Sequence, residues 1–187
     1  NLKINVPKGI TAQTNLKKNM IKDRVHYFSG KHNREISLYF TNDNPFQIFK
    51  TKDDCIILTD IFKNTANKEV NIEKVNRINA FISNVFHFKG EKKYLVPALI
   101  YNKNPFFGLN DLPKFFAPFN DFFLEEISFL KSYLHLYLSN NIPIDLRKDH
   151  WIVGGLQTYL IIKYIETYYP DEKYLGRAGG FKFMKAY

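Results

Sequence analysis

The hydrophobic pattern of the chain changes period near residue 60, and that change limits the fold more than any other feature. Before it, short alternating segments run into turn residues. Lys3-Ile4-Asn5-Val6 stops at Pro7-Lys8-Gly9, and Val25-His26-Tyr27-Phe28 meets Ser29-Gly30-Lys31. Residues 36–40 meet Asn42-Asp43-Asn44-Pro45, and residues 46–49 and 55–59 continue the pattern. Period 2 with polar turns predicts short strands of a β-sandwich or β-sheet unit.

After the change the period is helical. Val75, Ile78, Ile82 and Val85 share one stripe, which predicts an amphipathic helix over about 71–87. Residues 94–101 form a compact apolar run, too short for most helices. Pro97 inside it cannot donate to a ladder, so the run is expected as an edge strand. Three prolines and Gly108 mark 102–118 as an irregular loop. Two longer helices follow. Asn120 or Asp121 can cap the first, whose stripe is Phe123, Ile127, Leu130, Leu134 and Leu138; Asn140-Asn141-Ile142-Pro143 ends it. Asp149 can cap the second, which runs to about Tyr168 before Pro170. Its apolar residues surround most of the axis, so it is expected to be buried. Residues 177–187 carry Gly179-Gly180 and no clear element. Strands first and helices later make the fold class α+β, with a division at 1–60 and 61–187.

Composition narrows the function classes. Aromatic residues make up 17%, with 18 Phe and 12 Tyr, and many of these rings have to be buried. No apolar run reaches the roughly 18 residues of a membrane-spanning helix. Cys55 is the single cysteine, which excludes an internal disulfide and a cysteine-based zinc cluster. The opening Asn1-Leu2-Lys3-Ile4 has neither Met nor a leader pattern and reads as an internal piece or a processed product. The net charge is +9, from 27 Lys and Arg against 18 Asp and Glu, and the largest basic cluster, 89–93, is interrupted. A solvated surface accounts for that charge better than a nucleic-acid partner does.

The segment Trp151-Ile152-Val153-Gly154-Gly155-Leu156-Gln157-Thr158-Tyr159 resembles the W-x-N-E-G-x-A-x-Y segment of gluzincin zinc aminopeptidases of the membrane alanyl aminopeptidase type. In that family the Glu is the third zinc ligand, and H-E-x-x-H stands on the preceding helix. Residues at i and i+4 share a helix face and can reach one ion, while the intervening Glu serves as general base. The resemblance sets H-E-x-x-H on Lys131-Ser132-Tyr133-Leu134-His135, and Gly154 at the Glu ligand. His135 and Asn140 match the family's second His and a following Asn. Lys131, Ser132 and Gly154 are the degenerate catalytic positions. Residues 104–110, with Gly108 and Asn110, are similar to the family's G-x-M-E-N loop but carry no acid. Runs such as Gly108-Leu109-Asn110-Asp111-Leu112-Pro113 and Asp149-His150-Trp151 resemble degenerate members from bacteroidete-type bacteria, which implies a periplasmic or cell-envelope location.

The resemblance implies the end of an amino-terminal β-domain over 1–60 and part of a thermolysin-like mixed α/β and helical domain over 61–187. One remaining imidazole cannot hold a catalytic zinc, and Lys131 would aim an ammonium at the metal position. No cofactor is therefore expected, and His135 is a weak metal candidate at most. The expected function is a peptide- or protein-binding or scaffold module. Its groove would be marked by Gly108, Asn110, His135, Asn140 and Trp151, with a peptide adding to the strand at 94–101. Two alternatives stand beside it: an active zinc aminopeptidase with ligands elsewhere, and a basic binder of nucleic acid or anionic surfaces. Other residues have plainer readings. His135 between Leu134 and Leu136 reads as half-buried, His87 as a helix-end cation, and His26 and His32 as exposed turn residues. His150 falls in the first turn of its helix. Glu125-Glu126 reads as a favourable pair at a helix N-terminus.

Overall fold

The computed structural model describes residues 1–30, 36–63, 67–86, 92–106, 119–142 and 148–170. Among these lie eight strands in three small sheets and four helices, an α+β fold. The first sheet has the order β1-β4-β3, built from β1 (Leu2–Asn5), β3 (Lys17–Lys22) and β4 (Val25–Ser29), all antiparallel. The β3–β4 hairpin turns through Asp23 and Arg24, both at positive φ (48° and 70°), the twist that a two-residue hairpin favours. Alternation decides the faces: Phe28 and His26 of β4 point inward, while Val25, Tyr27 and Ser29 stay half-exposed. A small core of Val6, Ala12, Leu16 and Phe28 lies beneath. Next to it, β2 (Thr11–Thr14) pairs antiparallel with β5 (Leu38–Thr41).

The third sheet has the order β6-β7-β8 and carries the main core. β6 (Gln47–Lys50) and β7 (Ile56–Thr59) form a hairpin, and β8 (Lys93–Val96) joins β7 in parallel, Ile56 opposite Lys93 and Thr59 opposite Val96. A parallel partner needs a crossover, and α1 (Lys68–Phe86) supplies it. Val75, Ile78 and Ile82 of α1 are buried as their spacing predicts, whereas Val85, one residue before the helix end, is exposed. One sheet face (Phe49, Ile57, Tyr94, Val96) packs on α1 and on α3 (Asp121–Asn141), and α4 (His150–Tyr168) packs against α3 within the same core. The sheet and its core thus draw on residues from both sides of residue 60.

The apolar run at 94–101 is not one strand. It divides at Pro97, which sits at φ −80° and ψ 147° as the N-cap of α2 (Ala98–Lys103). Proline suits that position because it has no donor to lose. The Ala98 amide of the first turn is satisfied by Asp60 Oδ1 at 2.6 Å, so the end of β7 caps the helix that follows β8. Asn120 caps α3, its Oδ1 accepting from the Phe123 amide at 2.8 Å. Asp149 stands at the N-cap of α4 without a side-chain cap bond. The α3 stripe of Phe123, Ile127, Leu130, Leu134 and Leu138 is fully buried. No helix among the described residues is long and apolar enough to cross a membrane.

Candidate functional site

The site expected from the sequence lies on α3 and α4, which run antiparallel. Gln157 Nε2 donates to the Lys131 carbonyl at 2.6 Å, and the Tyr164 hydroxyl donates to Glu126 Oε1; partners rise on one helix as they fall on the other. Continuing that register sets His135 level with the first turn of α4, near Val153 and Gly154. His135 is exposed rather than half-buried, because it falls on the outer side of a helix whose next turn, Leu136 to Leu138, is buried. Lys131 is half-buried, and desolvation pushes its ammonium below the usual lysine value. Ser132 is fully buried and its hydroxyl has no hydrogen-bond partner among the described residues. Asn140 is half-buried, with its Oδ1 likewise unpartnered among them.

Gly154 and Gly155 are exposed, and a Cβ built at either would meet nothing within 4 Å. The glycines therefore open a shallow gap on the surface of α4 and make no close helix contact. Around the gap stand Trp151, 68% exposed, and Tyr159, 57% exposed, with Ile152 and Ile162 along the same stripe. This corrects the expected burial of α4. The helix rests on its neighbours through Val153, Gln157, Leu160, Ile161, Tyr164 and Ile165, and the opposite apolar stripe faces solvent. Gly108 and Asn110, and also His32 and His87, lie outside the described residues. Among the described residues no three His, Cys, Asp or Glu side chains could hold a metal ion together.

The edge expected to receive a peptide is closed. β8 is indeed an edge strand, but Tyr94, Leu95 and Val96 are each 1% exposed or less, so an added strand has no access to their backbone. Lys93 at its start donates to the Leu16 carbonyl at 2.8 Å.

Two polar clusters were not legible as such in the sequence. In the first, the Glu126 carboxylate is 0% exposed and receives Arg77 Nη2 at 2.5 and 2.6 Å on its two oxygens. The Tyr164 hydroxyl donates to Oε1 and the Tyr169 hydroxyl to Oε2, the latter at 2.5 Å. Burial works against the Arg77 charge, yet the carboxylate outweighs it and raises the guanidinium further. Both phenols are pushed up, by burial first and then by Glu126. Every oxygen lone pair of Glu126 is engaged, which makes this a clamp joining α1, α3 and the end of α4 rather than a proton-transfer site. Glu126 is thus not the helix-end charge that its position suggested. In the second cluster, Asn79 Nδ2 donates to both oxygens of Asp53 at 2.7 and 2.9 Å, and the Tyr133 hydroxyl donates to Asn79 Oδ1 at 2.7 Å. Burial would raise the Asp53 carboxyl, but hydrogen bonds from Thr51 and Asn79 hold it below its ordinary value. Tyr133 is pushed well up by burial and by Cys55 beside it. Cys55 is buried, the environment of an inert thiol.

His26 is buried rather than exposed, its imidazole pushed down by desolvation and by Lys18. Comparison of the chain with protein-family models, with curated proteins and with solved structures finds no match.

Proposed function

We propose that the chain is an aminopeptidase-like scaffold of gluzincin type that works without a catalytic zinc, as a peptide- or protein-binding module. The observation that carries this reading is the α4 surface. Trp151, Ile152, Tyr159 and Ile162 line a solvent-facing apolar stripe with Gly155 in its middle, level with the end of α3 that bears His135. An exposed tryptophan and an exposed tyrosine on one stripe are the residue types that anchor partners, because they bury large area at small entropic cost. The positions that resemble the family's catalytic set carry Lys131, Ser132 and Gly154. An ammonium, a buried hydroxyl and a hydrogen supply neither ligand nor general base.

Trp151 is the chain's single tryptophan, so its emission reports on this surface alone. An array of unstructured peptides probed with the full chain selects binders, which are then titrated by calorimetry and by Trp151 fluorescence. Binding is expected to shift the emission to the blue, to survive a chelator, and to weaken about tenfold in Trp151→Ala. Absence of any bound peptide overturns the reading. So does peptide cleavage that appears only with one equivalent of zinc.

A further inference from the structure

The β1-β4-β3 sheet offers a second surface, of different chemistry. All six residues of β3 are exposed, Met20 and Ile21 by 51% and 52%, and among the described residues β3 pairs with β4 on one side only. Its sequence Lys17-Lys18-Asn19-Met20-Ile21-Lys22 holds three lysines, and none of the residues of β1, β3 and β4 is acidic. Lys3 of β1 lies over the Tyr27 ring at 5.7 Å on the outer face of the same sheet. We propose that the free edge of β3 receives an acidic, extended peptide segment, which adds as a further strand.

Lysines on an edge strand ordinarily keep sheets from pairing edge to edge, and the register shift between Lys18 and Met20 serves the same end. That defence is selective. It rejects basic segments, a second copy of this edge included, and leaves an acidic strand as the partner whose charges complement the main-chain bonds it would make. The lysines make the field there positive, with Asp23 of the turn as the nearby acid in sequence: Lys18 pushes down both His26 and Lys93, in addition to their burial. Exposed Met20 and Ile21 supply apolar contact for alternate side chains of an incoming strand. A single-stranded nucleic acid fits less well. Tyr27 is the one ring on the outer face, Lys3 already covers it, and base binding relies on several stacking rings.

This inference deepens the binding-module reading and rests on it, with a surface separate from α4. The test titrates the full chain with a fluorescent alternating Glu-Val peptide, the Lys-Val peptide, a Glu-Val peptide N-methylated at every second residue, and oligo-dT. The Glu-Val peptide is expected to bind alone. Its affinity should fall about tenfold or more in Lys17→Glu/Lys22→Glu, whose side chains are exposed and whose fold is checked by circular dichroism. N-methylation should abolish binding, since it blocks main-chain pairing. Trp151→Ala should leave it unchanged. Equal binding of the N-methylated peptide, or tighter binding of oligo-dT, overturns the strand-addition proposal in favour of a general polyanion surface. No binding of Glu-Val peptide overturns it outright. A loss of β3 binding with the Trp151 response intact sinks this inference alone, whereas the reverse pattern sinks the α4 reading alone.

Discussion

Glu126 is the residue on which most of the helical half converges. A fully buried carboxylate is costly unless its charge is matched and its lone pairs are filled, and here one arginine and two tyrosines do both. The substitution Glu126→Gln keeps the volume, removes the charge and leaves Arg77 unmatched. A loss of about 3 kcal/mol is expected, read from the midpoint of urea denaturation with an unchanged slope. Tyr164→Phe should cost only about 1 kcal/mol, because it removes one hydroxyl while the ion pair remains. A neutral Glu126→Gln would show that the clamp contributes nothing net. Sequence reading sees Glu126 near a helix start and assigns it to the helix dipole. Its partner Arg77 stands 49 residues earlier, and no local pattern links the two.

At the scale of elements, legibility followed burial. Strands with an alternating buried set, such as β4, and the α3 stripe could be read directly. β2 alternates in burial, but its buried Ala12 and Thr14 are small or polar and carry no hydrophobic period, and β3 has all six residues exposed, so neither shows in the pattern. α4 was misread for the opposite reason. Its apolar residues surround the axis, which suggests complete burial, but the neighbouring elements cover one side only. The candidate site was legible as a pair of helices; its exposed stripe was not. The two glycines of α4 yield a prediction. Each costs a helix interior about 1 kcal/mol relative to alanine, and the added methyl at either meets open space. Gly154→Ala and Gly155→Ala are therefore each expected to raise stability by about 1 kcal/mol in chemical denaturation. If the gap is retained for a partner, Gly155→Ala should at the same time weaken peptide binding at Trp151. A stabilised Gly155→Ala with full binding would remove the gap from the recognition surface.

For the molecule as a whole, the abundant rings become a liability at high pH. Tyr133, Tyr164 and Tyr169 are pushed up by burial, and Tyr137 by burial, Asp53 and Cys55 to about 12, against 10.0 for an ordinary phenol. A group whose folded value is raised stabilises the fold fully below its unfolded value and loses that contribution as pH climbs through the folded one. Alkaline unfolding is therefore expected between about pH 10 and 12, with the phenolate absorbance of these tyrosines rising in step with loss of helical circular dichroism. Phenolate formation by all tyrosines near pH 10 with the helical signal intact would contradict the burial on which this rests.

The parallel seating of β8 against β7 also orders events in time. During synthesis β7 finds β6 at once across a short turn, but its other flank stays bare until α1 and then β8 have left the ribosome. Until then Ile57 stands on a two-stranded ribbon without the helices that later cover its face, a state that invites capture by another nascent chain. How long that flank stays bare is set by the length of one crossover.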